Sequence, residues 1–469
     1  MESEIKRIHS LFNSGKLLCK DLIEDKLNAL EMNEHNTANL ILRDYAMKLA
    51  NKVDDKIKSG QEIGLLEGIP FGIKDVILLK GYKTTASSNM LKDYIAPFTA
   101  TAIQKLLDAG VIPIVKENCD SFGHGSTSEN TVFGPVKNTF DVNKVAGGSS
   151  GGSSVNVAKG FTAFSIGADT GGSIRQPSGY NKVFGLKPTY GRVSRYGLMA
   201  YASSTDTIGP IASTLEDIRL LTNLISGKDI HDMNTYNSVN IPEDIFQDNS
   251  TLKDAKVGFY KEFIETENLE NGLKNDFMYM LDVLNKNNIQ TEELQFMDTE
   301  LLVSVYYVLT MAETASNLAR LDGITYGKRN NSKNLKEAYA LTRSENFTEE
   351  TKRRLIGGNQ VLSHGHAEDI YTKAVFLRKR IIEIYSNDLK KVDIILSPVS
   401  TILPPMIGKS LNDPYAMYLS DVYTVGFSLG ELPVLNAPVF LETGLQIAAD
   451  KDKEGLILKF AYFLTQISK

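Results

Sequence analysis

The sequence predicts an α/β protein in which helices cover both faces of a β-sheet. Three observations carry this. Short apolar runs of strand length alternate with helical stretches up to residue 188. The stretch 41–58 sets Ile41, Tyr45, Leu49, Val53 and Ile57 four residues apart, an apolar helical stripe closed by Ser59-Gly60. Two glycine-serine clusters flank the run Phe161–Ile166, which is short enough for one buried strand.

The elements follow in order. Residues 3–30 read as helix, a turn at Ser14-Gly15, then helix. Gly68–Leu79 is strand-like and apolar, yet it holds Lys74. Thr99–Ala109 is a helix stopped by Gly110, and Val111–Val115 a short buried strand. Alternation continues through the glycine-serine region to Phe184–Pro188. Ser213-Thr-Leu-Glu216 is a capping box that opens a helix ending near Ser226. The polar stretch 227–254 is a surface connection. Lys256–Tyr260 is a strand, helices dominate to Ser386, and Val392–Pro398 is a buried strand. Thr424–Ala449 adds more sheet, and Glu454–Ile467 is a closing helix. With the late strands joining the first sheet, 1–469 is one domain. Within it, about 65–215 holds both glycine-serine clusters and about 256–430 is helix-rich.

Composition narrows the class. Of 469 residues 42% are hydrophobic and 23% charged, ordinary for a soluble globular protein. Such a body buries roughly three quarters of its unfolded surface. The sequence has no run of 18 apolar residues, so no membrane span is expected. The start, MESEIKRIHSLF, carries acids and no apolar core, unlike a secretory signal. Two cysteines, Cys19 and Cys119, exclude a disulfide framework and fit a reducing compartment. The net charge is −6 with no basic stripe, so the chain is not expected to grip nucleic acid by itself.

The chemistry concentrates in the clusters Gly147–Ser154 and Asp169-Thr-Gly-Gly-Ser173. Glycines let backbone amides converge on one point, as a developing oxyanion requires. Three readings of the serines stand open. Gly148-Ser149-Ser150-Gly151-Gly152 satisfies the nucleophile-elbow pattern with Ser150 as nucleophile. That fold needs a later histidine, and His231, His364 and His366 follow no clear strand end. The second reading makes Ser173 the nucleophile, with the amides of Thr170, Gly171, Gly172 and Ser173 as oxyanion donors. The third is a glycine turn without chemistry. Lys74 is the candidate base: burial among apolar neighbours disfavours its charged form, and a neutral amine accepts a hydroxyl proton. An ion pair with Asp75 or another acid, or a surface lysine that reaches out to solvent, is the plain alternative. No metal motif stands out: H-E-x-x-H and C-x-x-C are absent, and His364-Gly-His366 is a weak hint.

Lys74, the cluster Gly147–Ser154 and Asp169-Thr-Gly-Gly-Ser-Ile-Arg175 closely resemble the amidase signature family, spacings included. The resemblance implies a mixed central β-sheet sandwiched between helices. It also implies a triad of Lys74, Ser149 after a cis peptide bond, and Ser173 as nucleophile. The catalytic core it implies is about 65–215, and the substrate-binding region about 256–430. A further set of motifs resembles the branch of this family that serves glutamyl-tRNA(Gln) amidotransferases. They are Gly185–Gly197, Tyr306-Tyr307, Ala315–Gly323, Lys352-Arg-Arg354 and Asp413–Asp421. In that branch a tyrosine, an arginine and an aspartate hold glutamine, here Tyr306 or Tyr307, Arg354 and Asp421. The implied partners are the amidotransferase's B subunit, which holds glutamyl-tRNA(Gln) and carries ATP and magnesium, and its small C subunit. No cofactor or metal is expected in this chain, and the setting is cytoplasmic, or mitochondrial in a eukaryote. Three stretches depart from the branch pattern: Ser121-Phe-Gly-His-Gly125, Gly357-Gly-Asn-Gln360 and Pro438–Gly444. His124 reads either as a residue facing substrate or as a loop histidine without a role. A stand-alone amidase and an inactive scaffold are the competing functions.

Overall fold

Eleven strands form one mixed sheet in the computed structural model, which describes residues 2–247, 252, 255–296, 299–365, 367–409 and 414–468. The strands are β1 (Ala38–Ile41), β2 (Pro70–Lys74), β3 (Ile112–Glu117), β4 (Phe164–Asp169), β5 (Phe184–Lys187) and β6 (Thr207–Ala212). They continue with β7 (Lys256–Tyr260), β8 (Gln290–Leu294), β9 (Ile394–Pro398), β10 (Val434–Ala437) and β11 (Leu445–Ala448). Their spatial order is β1-β3-β2-β4-β6-β5-β10-β11-β9-β7-β8. Pairing is parallel for β3-β2-β4 and for β9-β7-β8, and antiparallel across the middle from β4 to β9. The late strands thus continue the first sheet. Strands β2 to β6 and β9 to β11 are buried throughout, because helices cover both faces.

The structure corrects several expected elements. The helix expected over 41–58 runs Arg43–Lys58, and Ala38–Ile41 before it is the edge strand β1. Its buried face is Ala46, Ala50, Val53 and Asp54, while Tyr45, Leu49 and Ile57 sit half-buried at its rim. Asp54 is buried because it caps the helix Cys19–Met32, accepting the Cys19 and Lys20 amides at 2.7 and 3.0 Å. The cap near residue 213 moves by one: Thr214 accepts from the Asp217 amide. The apolar stretch after Asp421 opens as a wholly buried helix, Val422–Leu429, and turns to sheet only at β10. Strands β1, β6 and β8 carry no strand signal in sequence. β8 is a polar edge strand, and β6 contains Gly209-Pro210, which reads as a turn. That glycine is required, because a Cβ there would collide with the Leu186 carbonyl of the adjacent strand. No helix among the described residues is long and apolar enough to cross a membrane.

Candidate active site

Lys74 is the last residue of β2, where the parallel strands β3 and β4 flank it, and its side chain is 1% exposed. Its Nζ lies 2.6 Å from Ser149 Oγ and donates to the Ala168 carbonyl at 3.2 Å. Desolvation holds the amine below its ordinary range, and the nearby Cys119, Asp120, Asp169 and Asp206 oppose this only in part. The plain alternative for this lysine does not occur. Asp75 faces the other way, to Lys116 at 3.3 Å, and also accepts from Thr85 and Asn39.

Ser149 follows a cis peptide bond at Gly148. The loop that carries it is built around Asp120, whose carboxylate accepts the Ser128 and Asn130 amides at 2.9 and 3.0 Å. A Cβ on Gly148 would collide with Asp120 Oδ2, so only glycine fits. The Ser150 amide donates to the Ser173 carbonyl at 3.0 Å, which ties the two serine clusters side by side. Among the described residues no hydrogen bond joins the Ser149 and Ser173 hydroxyls.

Ser173 starts the turn into the short helix Arg175–Tyr180 and is the most exposed of the three predicted triad residues, at 9%. Asp169 and Arg175 lock this turn. Both are fully buried, joined at 2.9 and 3.0 Å by two parallel bonds. Arg175 reaches on to the Thr424 carbonyl, Gln446 and Ser428. Burial raises and Arg175 lowers the Asp169 carboxyl, which ends at about 2, so the pair stays charged. Asp169 also accepts the amides of Gly172 at 2.8 Å and Ile174 at 3.0 Å. The oxyanion assignment is corrected here: the Gly172 amide is committed to Asp169. Among the described residues nothing accepts from the Gly171 and Ser173 amides. Thr170 is anchored by its hydroxyl on Asp206 at 2.7 Å.

Ser150, the alternative nucleophile, is fully buried and donates to the Ala168 carbonyl at 3.2 Å. It faces Gly167 in the sheet rather than any cleft.

The cleft in front of Ser173 is lined by Ser126, Gly171, Gly172, Tyr201, Tyr306, Arg354 and Asp421. Of the expected substrate residues, Tyr306, Arg354 and Asp421 line this cleft with Ser173, and Tyr307 stands outside its lining. Tyr306 and Tyr307 divide their work. Tyr306 lies against Gly171, where a Cβ would strike its ring. Tyr307, next on the helix Thr299–Asn317, meets the Tyr306 ring edge to face at 5.1 Å and donates to Asp421 Oδ2 at 2.7 Å. Burial pushes the Asp421 carboxyl up to about 7, against the Tyr307 hydrogen bond and the positive Arg354. Arg354, on the helix Glu349–Val361, donates from Nε to Glu350 Oε1 at 2.7 Å and from Nη1 to the Tyr201 hydroxyl. Its guanidinium stands 5.2–5.9 Å from the ring centres of Tyr307, Tyr201 and Tyr418.

Glu350, Tyr201 and Tyr418 are site residues that the sequence reading missed. Glu350 had a signal, since it precedes Arg354 by one helical turn. Tyr418 had one too, lying within the Asp413–Asp421 motif three residues before Asp421, whereas Tyr201 comes from a distant segment and had none. His124 does not face the cleft: it is fully buried behind Tyr201, which it meets edge to face at 4.7 Å. His231 stacks on Tyr196, away from the site. His366 and Asp413, the start of the Asp413–Asp421 motif, lie outside the described residues. Among the described residues no cluster of three or more His, Cys, Asp or Glu side chains is arranged to hold a metal ion.

A mixed sheet that ends a desolvated lysine against one serine, beside a glycine turn presenting another, is the architecture of an amidase, an enzyme of amide-bond chemistry. The chain belongs to the amidase signature family, whose model matches residues 21–458. It is 40% identical over 471 aligned residues to the A subunit of the glutamyl-tRNA(Gln) amidotransferase of Sulfurihydrogenibium sp. (strain YO3AOP1), covering 98% of this chain and 96% of that one. It is also similar to the crystal structure of the corresponding protein from Thermotoga maritima. There the TM-score is 0.73 and the identity 34%, over 86% of this chain and 83% of that one. A bacterial aryl acylamidase, 19% identical, shares the fold with a TM-score of 0.84 over 98% and 95% of the two chains.

Proposed function

We propose that this chain is the glutaminase component of a glutamyl-tRNA(Gln) amidotransferase, releasing ammonia from glutamine for the amidation of glutamyl-tRNA(Gln). One observation carries this reading: the cleft at Ser173 holds Arg354 and Asp421, a cation and an acid suited to the α-carboxylate and α-ammonium of a free amino acid. The similarity to the Sulfurihydrogenibium protein supports it.

On this reading neutral Lys74 accepts the Ser149 proton while Ser149 takes that of Ser173. Ser173 Oγ attacks the side-chain carbonyl of glutamine. The tetrahedral oxyanion is met by the Gly171 and Ser173 amides, each such donor typically contributing about 3–4 kcal/mol. The proton returns through Ser149 to the leaving nitrogen, the C–N bond breaks, and ammonia departs. Water then cleaves the glutamyl ester on Ser173, giving glutamate and the free serine. The B subunit, with ATP and magnesium, activates the tRNA-bound glutamate, and the small C subunit braces the pair. The net charge of −6 accords with leaving tRNA to that partner. The setting is wherever tRNA is charged: cytoplasm, or mitochondrion in a eukaryote.

The test is ammonia release from glutamine and from propionamide, with and without the two partner proteins. Glutamine is expected to be the better substrate by far. A preference for propionamide makes the chain a stand-alone amidase, and silence toward both makes it a scaffold.

A further inference from the structure

His124 stands where three parts of the site meet. The loop that carries it also supplies Gly123, Gly125 and Ser126 to the cleft. Its Nδ1 lies 3.1 Å from Thr351 Oγ1 on the Arg354 helix, and its Nε2 lies 3.3 Å from Thr314 Oγ1 on the Tyr306 helix. Its ring packs against Tyr201.

The hydroxyls determine where the imidazole proton sits. Thr314 donates its only hydroxyl proton to the Tyr201 carbonyl at 3.1 Å, and a carbonyl can only accept. Thr314 Oγ1 must therefore accept from His124, which puts the ring proton on Nε2. The bare Nδ1 then accepts from the Thr351 hydroxyl, and Thr351 accepts from Thr348, 3.0 Å away. The chain runs without a break from Thr348 through Thr351, His124 and Thr314 to the Tyr201 backbone. Tyr201 passes the restraint on: its hydroxyl accepts from Arg354 Nη1 and donates to Thr310 at 3.2 Å.

We propose that His124 is a positioning residue for amino-acid recognition. As a neutral ring protonated on Nε2, it clasps the Ser149-side loop to the Tyr306 and Arg354 helices and, through Tyr201, holds the Arg354 guanidinium in the cleft. The proposal rests on the reading of the cleft as a glutamine site. Desolvation and the nearby Arg354 both keep the ring from taking a second proton.

His124→Met fills the same space without hydrogen bonds, and His124→Gln restores a donor toward Thr314. In the full 469-residue chain assembled with its partner proteins, His124→Met is expected to raise the glutamine KM about tenfold, with kcat and propionamide turnover within about twofold of the unmodified chain. His124→Gln is expected to recover part of that loss. An unchanged glutamine KM, or equal losses on both substrates, overturns the positioning role. Imidazole ¹⁵N spectra, with the His124 signals assigned by their disappearance in His124→Met, give a reading that needs no substrate. An Nδ1-protonated or cationic His124 at neutral pH overturns the clasp. Absence of glutamine turnover in the unmodified assembly refutes the glutamine site instead, and with it the recognition role.

Discussion

Lys74 Nζ lies 2.6 Å from Ser149 Oγ although 75 residues separate them in the chain. Two buried lysines on neighbouring strands meet opposite fates here. Lys116 has Asp75 as its counter-ion, whereas among the described residues Lys74 forms no ion pair with a carboxylate. Burial without a counter-ion disfavours the charged form of the Lys74 amine, and an amine that gives up its proton beside a hydroxyl is a base.

Replacing Lys74 separates catalysis from stability. Lys74→Met is expected to lower turnover by roughly 10²–10⁴-fold, the usual contribution of a positioned base. The same change is expected to stabilise the fold at neutral pH. Burial puts the native amine below its unfolded value of 10.5, so between those two values the unfolded chain binds more protons. Native stability therefore rises with pH across that window, and the methionine chain loses this slope. Thermal unfolding at several pH values checks both; a methionine variant that melts lower at neutral pH contradicts the assignment.

Serine substitutions distinguish the two candidate nucleophiles. Ser173→Ala is expected to abolish ammonia release. Ser150→Ala removes one buried hydrogen bond to the Ala168 carbonyl, which Lys74 also contacts. That variant is expected to keep its activity and lose about 1 kcal/mol of stability. Mass spectrometry of a trapped acyl-enzyme reads the modified serine directly, and an adduct on Ser150 reverses the roles.

Asp421 is expected to link glutamine use to pH. Its carboxyl titrates at about 7, raised by burial, so it is protonated and neutral below that pH. The α-ammonium of glutamine needs the ionised form. The glutamine KM is thus expected to rise as pH falls below about 7, approaching tenfold per pH unit, while propionamide shows no such limb. Asp421→Asn should flatten the profile. A limb that persists in the asparagine variant assigns the titration to another group.

The sequence made the catalytic centre more legible than the pocket around it, and for physical reasons. Lys74 announces itself because a charge inside an apolar run is costly, and the glycines at Gly148 and Gly172 announce tight turns. Glu350 and Arg354 share one helix at a readable spacing. Tyr418 lies within the motif that ends at Asp421 and was readable there, whereas Tyr201 is 153 residues from Arg354, so only the tertiary fold joins them. The same limit hid the Val422–Leu429 helix, whose β-branched and aromatic residues suit a strand. Full burial on all sides removes the polar face by which a helix is recognised.

Glu350 is expected to act on Arg354 in two opposed ways, and two substitutions separate them. As an acceptor for Arg354 Nε and for the Tyr418 hydroxyl at 3.0 Å, it orients the guanidinium. As an anion, it competes with the α-carboxylate of glutamine for the same charge. Glu350→Gln keeps an acceptor oxygen and removes the charge. The glutamine KM is then expected to fall severalfold, while the now unpaired buried guanidinium costs about 3–5 kcal/mol of stability. Glu350→Ala removes both effects, so Arg354 is free to swing and the KM is expected to rise. Arg354→Ala sets the outer limit, a loss of about 2–5 kcal/mol in glutamine kcat/KM with propionamide nearly untouched. Steady-state kinetics of the three variants, paired with thermal melts, decide the matter. If Gln and Ala at position 350 raise the KM alike, the charge of Glu350, and not its acceptor oxygen alone, orients Arg354. If Arg354→Ala harms both substrates equally, the arginine supports the fold and does not bind the amino acid.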